Sequence, residues 1–107
     1  MKAVISSLLF ALGILPISVF ASDQTGLVMD IRVGESHVHI DGTYNTPFPA
    51  CSASGWWWAF DTNTSTGKAM LAVLLTAKVT GKTVILWGDG SCLRPGMEKL
   101  IQVSIQP

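Results

Sequence analysis

The chain has 107 residues, with seven basic and seven acidic side chains and 49% hydrophobic residues. Without clustered Lys and Arg it exerts no long-range pull on phosphate backbones or anionic lipid, so nucleic acid is not an expected partner. Its two cysteines, Cys51 and Cys92, lack the paired ligand spacing of a zinc site, and no metal or cofactor is expected.

The N-terminus carries Lys2, an uncharged run from Ala3 to Phe20, and then Val19-Phe20-Ala21. This is the pattern of a cleavable secretory signal, with cleavage after Ala21. A run of about eighteen apolar residues is also just long enough for a retained membrane anchor. Against that second reading, Pro16 interrupts the run and no basic stop-transfer cluster follows. The expected organisation is a signal peptide over 1–21 and a single secreted or periplasmic domain over 22–107. The mature part has about 86 residues and sets Arg32, Lys68, Lys78, Lys82, Arg94 and Lys99 against Asp23, Asp30, Glu35, Asp41, Asp61, Asp89 and Glu98. A domain this small sits near the lower limit at which a hydrophobic core suffices alone. In an oxidising compartment Cys51 and Cys92 have one way to pair, and closing that loop removes about 4 kcal/mol of unfolded-chain entropy.

Leu27 to Val33 alternates with period two, which predicts a strand with Leu27, Met29, Ile31 and Val33 facing the core. Gly34-Glu35-Ser36 supplies a turn, and Val38 and Ile40 continue an inward face in a second strand that ends at Asp41-Gly42. His37, His39 and Asp41 fall on its other face. A solvated polar surface explains them, and a metal-binding triad is the alternative that their spacing permits.

Thr43 to Ser54 holds Pro47, Pro49 and small polar residues and reads as a surface connection that contains Tyr44 and leads to Cys51. Gly55 to Phe60 then reads as a third strand. Adjacent side chains of a strand point to opposite faces, so Trp57 and the pair Trp56 and Trp58 cannot share one core. Trp56, Trp57, Trp58 and Tyr44 are therefore the candidate ligand-binding or interface residues. A strand covered on both sides, by the core and by a helix or a second protomer, is the other reading.

The capping-rich stretch Asp61 to Thr66 precedes Met70, Val73, Leu74 and Ala77 at helical spacing, with Leu71 and Leu75 widening the stripe. A helix from about Ser65 to Thr80 is expected, with Asp61 as its cap and Gly81 as its left-handed C-terminal stop. Thr66-Gly67-Lys68 lacks the glycine spacing and the following hydroxyl of a phosphate loop. Thr83 to Trp87 reads as a covered strand ended by a turn at Gly88-Asp89-Gly90. Leu100 to Ile105 gives a last strand with Ile101, Val103 and Ile105 on one face. No nucleophile elbow or carboxylate pair marks a catalytic centre, and the chain does not read as an enzyme.

The fold class that follows is mainly β with one helix, in the order β-β-β-α-β-β with one disulfide. That is the order of a small five-stranded OB-fold-like barrel. An open α+β sheet with the helix across one face is the alternative.

Ser54-Gly55-Trp56-Trp57-Trp58-Ala59-Phe60, the amphipathic helix and Thr80-Gly81-Lys82-Thr83-Val84-Ile85 together resemble the core of secreted B subunits of bacterial AB5 toxins, particularly the subtilase-cytotoxin and pertussis-like groups. The resemblance spans about half of the mature chain. It implies an OB-fold protomer in a homo-oligomer of five that binds a cell-surface glycan and carries a toxin A subunit. No sugar-contacting position is carried over from it. A small periplasmic inhibitor or accessory protein, acting through a protein interface, is the other class of function the sequence admits.

Overall fold

A computed structural model describes residues 22–42, 49–52 and 57–107. The chain forms β1 (Ser22–Arg32), β2 (His37–Ile40), β3 (Trp57–Ala59), α1 (Ser65–Thr80), β4 (Thr83–Arg94) and β5 (Met97–Ile105). The five strands close a ring in the order β1-β2-β3-β5-β4. Every pairing is antiparallel except that of β3 with β5, which is parallel and places Trp58 beside Glu98 and Ala59 beside Lys99. The protein is thus mainly β with one helix and a disulfide, in the order read from the sequence.

The core is built from Val28, Val38, Ile40, Trp58, Phe60, Val84, Leu86 and Leu100 of the ring segments together with Met70, Leu74 and Ala77 of α1. Ile31, Leu71, Val103 and Ile105 pack against it from partly buried positions. On α1 the buried stripe is Gly67, Met70, Leu74 and Ala77, while Leu75 is 44% exposed and lies outside the stripe expected for it. The helix is stopped as its sequence predicts: Gly81 adopts φ 68° and its N–H reaches the Ala77 carbonyl. Its N-cap is Thr64, not Asp61. Thr64 Oγ1 accepts from the Gly67 N–H at 2.9 Å, and Asp61 Oδ1 instead takes the Asn63 N–H at 2.9 Å.

Three expectations about the strands are corrected. In β1 the inward side chains of the first half are Ser22, Gln24 and Val28, whereas Leu27, Met29 and Val33 are 40%, 50% and 53% exposed. A register shift between Val28 and Asp30 exchanges the two faces of the strand, so that Ile31 packs on the core where Leu27 and Met29 do not, and Val33 lies past the end of the strand in the turn. Gly88-Asp89-Gly90 does not end a strand. β4 runs through it to Arg94 with irregular pairing on β5, and Asp89 Oδ1 accepts from the Ser91 N–H and hydroxyl at 2.9 and 2.6 Å. In β5 the register slips between Gln102 and Leu100, so Leu100 and Val103 both reach the core while Ile101 turns aside.

Cys51 and Cys92 are joined, with their Cα atoms 6.1 Å apart and a sequence separation of 41. The bridge ties the segment ahead of β3 to the far end of β4. Beside it the Ser52 N–H reaches the Pro49 carbonyl at 3.0 Å. The signal peptide expected over 1–21, most of the connection over 43–54, and Tyr44 and Trp56 with them, lie outside the described residues. Among the described residues no helix is long and apolar enough to cross a membrane.

Candidate functional site

The hairpin of β1 and β2 pairs Arg32 with His37, and the β2–β3 ladder pairs His39 with Trp57. Two ladders therefore bring Arg32, His37, His39 and Trp57 to one place on the outside of the ring. Trp57 is half-buried there, and its indole meets the edge of His37 at 4.5 Å between ring centres and the tilted ring of His39 at 5.1 Å. The Arg32 guanidinium stands 5.2 Å from the indole centre, within the range of a cation–π contact. Arg32 also reaches Asp30 at 3.4 Å and Glu35 at 3.7 Å, and Glu35 lies 3.5 Å from His37 Nε2. The two Arg32 pairs are open to solvent and hold orientation more than they add stability.

His37 is 5% exposed, so it does not belong to the solvated polar face expected for it. Burial lowers its pKa first of all, the Arg32 and Arg94 charges add to that, and the Glu35 carboxylate opposes them. The imidazole is thereby biased toward its neutral form. Asp41 is not brought to this place. Its Oδ1 accepts from the Leu27 N–H at 2.6 Å, and among the described residues no group of three His, Cys, Asp or Glu is placed to hold a metal ion.

Trp58 points the opposite way from Trp57, as adjacent strand residues must. It is fully buried in the core and donates from Nε1 to Gln24 Oε1 at 2.7 Å, while Gln24 Nε2 donates to the Gly42 carbonyl at 2.8 Å. Of the four aromatic candidates, Trp57 is thus on the outer surface, Trp58 is inside, and Trp56 and Tyr44 lie outside the described residues.

A second concave feature lies between the start of α1 and β5. It is a cavity of about 340 Å³ walled by Phe60, Met70, Leu93, Leu100 and Ile101, with Asp61, Thr64, Thr66 and Lys99 also lining it. Gly67 forms part of its wall, and a Cβ at that position would overlap the Asp61 carbonyl. Ile101 enters it through the slip in β5.

No family model, curated protein or solved structure matches this chain.

The site therefore rests on its own geometry. Sequence reading reaches Trp57 through the aromatic run but not Arg32 or Glu35. Those two join it through hairpin register, which no local pattern announces. The arrangement offers a flat indole, two imidazoles and a guanidinium side by side, a surface suited to holding a ring-shaped polar ligand. It presents no activated nucleophile.

Proposed function

We propose that this chain is an exported, non-catalytic binding module of OB type, processed near Ala21, whose ligand is a cell-surface glycan. The observation that carries the reading is Trp57 on the outer face of β2 and β3, framed by His37, His39 and Arg32. In OB folds that pair of strands is a binding face for oligosaccharides and oligonucleotides, and the near-neutral charge of this chain disfavours the second. An indole offers a broad apolar face for a sugar ring and a polar edge for its hydroxyls. The strand order β1-β2-β3-β5-β4 with a parallel β3–β5 contact, and a helix inserted between β3 and β4, support the OB assignment.

By its resemblance to toxin B subunits, the module works as a homo-oligomer, a ring of five beneath a toxin A subunit. Light scattering or mass photometry on the mature protein, followed by a glycan array, tests this. We expect a discrete oligomer with array binding that Trp57→Ala reduces about tenfold or more, while the half-buried position keeps the stability cost within about 1 kcal/mol. A strict monomer that binds no glycan overturns the toxin-like reading.

A second reading, a small periplasmic inhibitor or accessory protein, draws on the apolar outer faces. Leu27, Met29 and Val33 of the first hairpin and Leu75 and Val79 of α1 are all exposed, Val79 at 84%. A stoichiometric protein partner recovered from an envelope extract, together with an empty glycan array, favours that reading instead.

A further inference from the structure

Glu98 lies inside the ring and is 0% exposed. Its Oε2 accepts from the Ser22 hydroxyl and from the Gly90 N–H at 3.2 Å, whereas Oε1, also buried, has no hydrogen-bond partner among the described residues. A Cβ at Gly88 would stand 2.7 Å from the Trp58 ring and closer still to the Glu98 carboxyl, so β4 is kept bare at that point to admit the acid. Its neighbours are Ser22 of β1, Trp58 of β3, and Gly88, Gly90 and Asp89 of β4. Among the described residues the charged group acting on it is Asp89, another acid. Lys99 follows it in β5 but is exposed on the opposite face. Burial raises the Glu98 pKa, the Ser22 hydroxyl and Gly90 N–H draw it back, and Asp89 adds to the rise. A buried carboxyl with an orphaned oxygen either keeps its proton or pairs with a cation, and no described side chain supplies one.

Ser22 is 2% exposed and opens β1, immediately after the expected cleavage point. We propose that removal of the leader supplies the missing cation: the new α-ammonium of Ser22 pairs with the Glu98 carboxylate and completes the interior of the ring. The inference rests on the export reading. A signal peptidase adds water across the Ala21–Ser22 bond, the acyl side leaves as the Ala21 carboxylate, and the freed amine takes a proton. Covalent geometry puts that nitrogen roughly 3 Å from its own hydroxyl, which already touches Glu98.

The two states differ in the sign of their pH dependence. With a neutral peptide nitrogen at Ser22, the folded pKa of Glu98 is above its ordinary 4.5, so its contribution is present below that value and lost as pH rises through the raised one. With the ammonium in place, Glu98 is held below its ordinary value and the amine above its own, which is about 7.7 to 8.0. The contribution is then present between the two and lost beyond either end.

The test exports the full chain from its own leader and compares the mature protein with one carrying an extra alanine between Ala21 and Ser22, and with Glu98→Gln. We expect intact mass to place the N-terminus at Ser22 and NMR titration to show its amine holding a proton at least tenfold more tightly than a free terminus. The extended chain should unfold at lower urea and lose stability as pH rises above 4.5, and Glu98→Gln should return the amine to its ordinary value. If Glu98→Gln does not fold, the pH slope of the extended chain decides. An ordinary amine pKa in the folded protein, equal pH slopes, or processing at another bond overturns the pairing. A chain that is neither exported nor processed overturns the export reading as well, which separates the two failures.

Discussion

Gly88 governs how the interior of the ring is filled. Because a Cβ there would press on both the Trp58 ring and the Glu98 carboxyl, Gly88→Ala forces one of two fully buried side chains to move. Overpacking of this kind costs about 1–3 kcal/mol. We expect a lower urea midpoint with an unchanged denaturant slope, read by tryptophan fluorescence. At this scale the sequence was partly legible. The division of Trp57 from Trp58 follows from strand alternation alone, and so does the inward placement of Val38 and Ile40. What alternation cannot disclose is a glutamate at the centre of a core. Glu98 sits in a short polar stretch after the Pro95-Gly96 turn, and only the three-dimensional closeness of Ser22, Gly88 and Trp58 gives it a place.

Among the elements, α1 is the one whose limits are written locally. Its start, stripe and left-handed stop use neighbours within a few residues, so the expected Ser65 to Thr80 is the observed helix. Its N-cap depends on a single hydroxyl, and Thr64→Ala removes the acceptor for the Gly67 N–H along with the bond from Thr64 Oγ1 to the Asp61 carbonyl at 2.8 Å. A loss of about 1 kcal/mol is expected, measured as a fall in urea midpoint. The strands behave differently because their faces are set by partners far away in sequence. The slip between Val28 and Asp30 answers to β2, and the slips in β4 and β5 answer to one another. A period-two pattern read across such a slip assigns the wrong face, which is how Leu27 and Met29 came to be expected inside. The glycines of Gly88-Asp89-Gly90 signal a chain reversal in most settings. Here they make room for a carboxyl and bend a continuing strand.

For the molecule as a whole, the disulfide takes the place of core that a domain of this size lacks. Replacing both Cys51 and Cys92 by Ser should lower stability by about 4 kcal/mol, read as the difference in urea midpoint between the oxidised protein and the double variant. Reductant should shift the wild-type protein toward the double variant and leave the variant unchanged. The pairing was legible from parity and expected compartment, and the element order pointed to a closed ring before any ladder was known. The surroundings of Trp57 were not. Arg32 reaches Trp57, with Glu35 beside Arg32 and His37, only through the registers of the β1–β2 and β2–β3 ladders.

That closure has a seam. Among the described residues β3 meets β5 through Trp58 and Glu98 and through Ala59 and Lys99, at a distance of some forty residues along the chain. Every other junction of the ring is antiparallel, and of the two joins between strands distant in sequence β1–β4 is held by six residue pairs against two here among the described residues, so this is the join that opens more readily. An open seam bares two strand edges at once, the kind of edge on which a second copy docks. The Cys51–Cys92 bridge spans the same gap, tethering the approach to β3 to the end of β4. Oxidation before closure would keep the edges facing each other, and a reduced chain leaves them free to find a stranger.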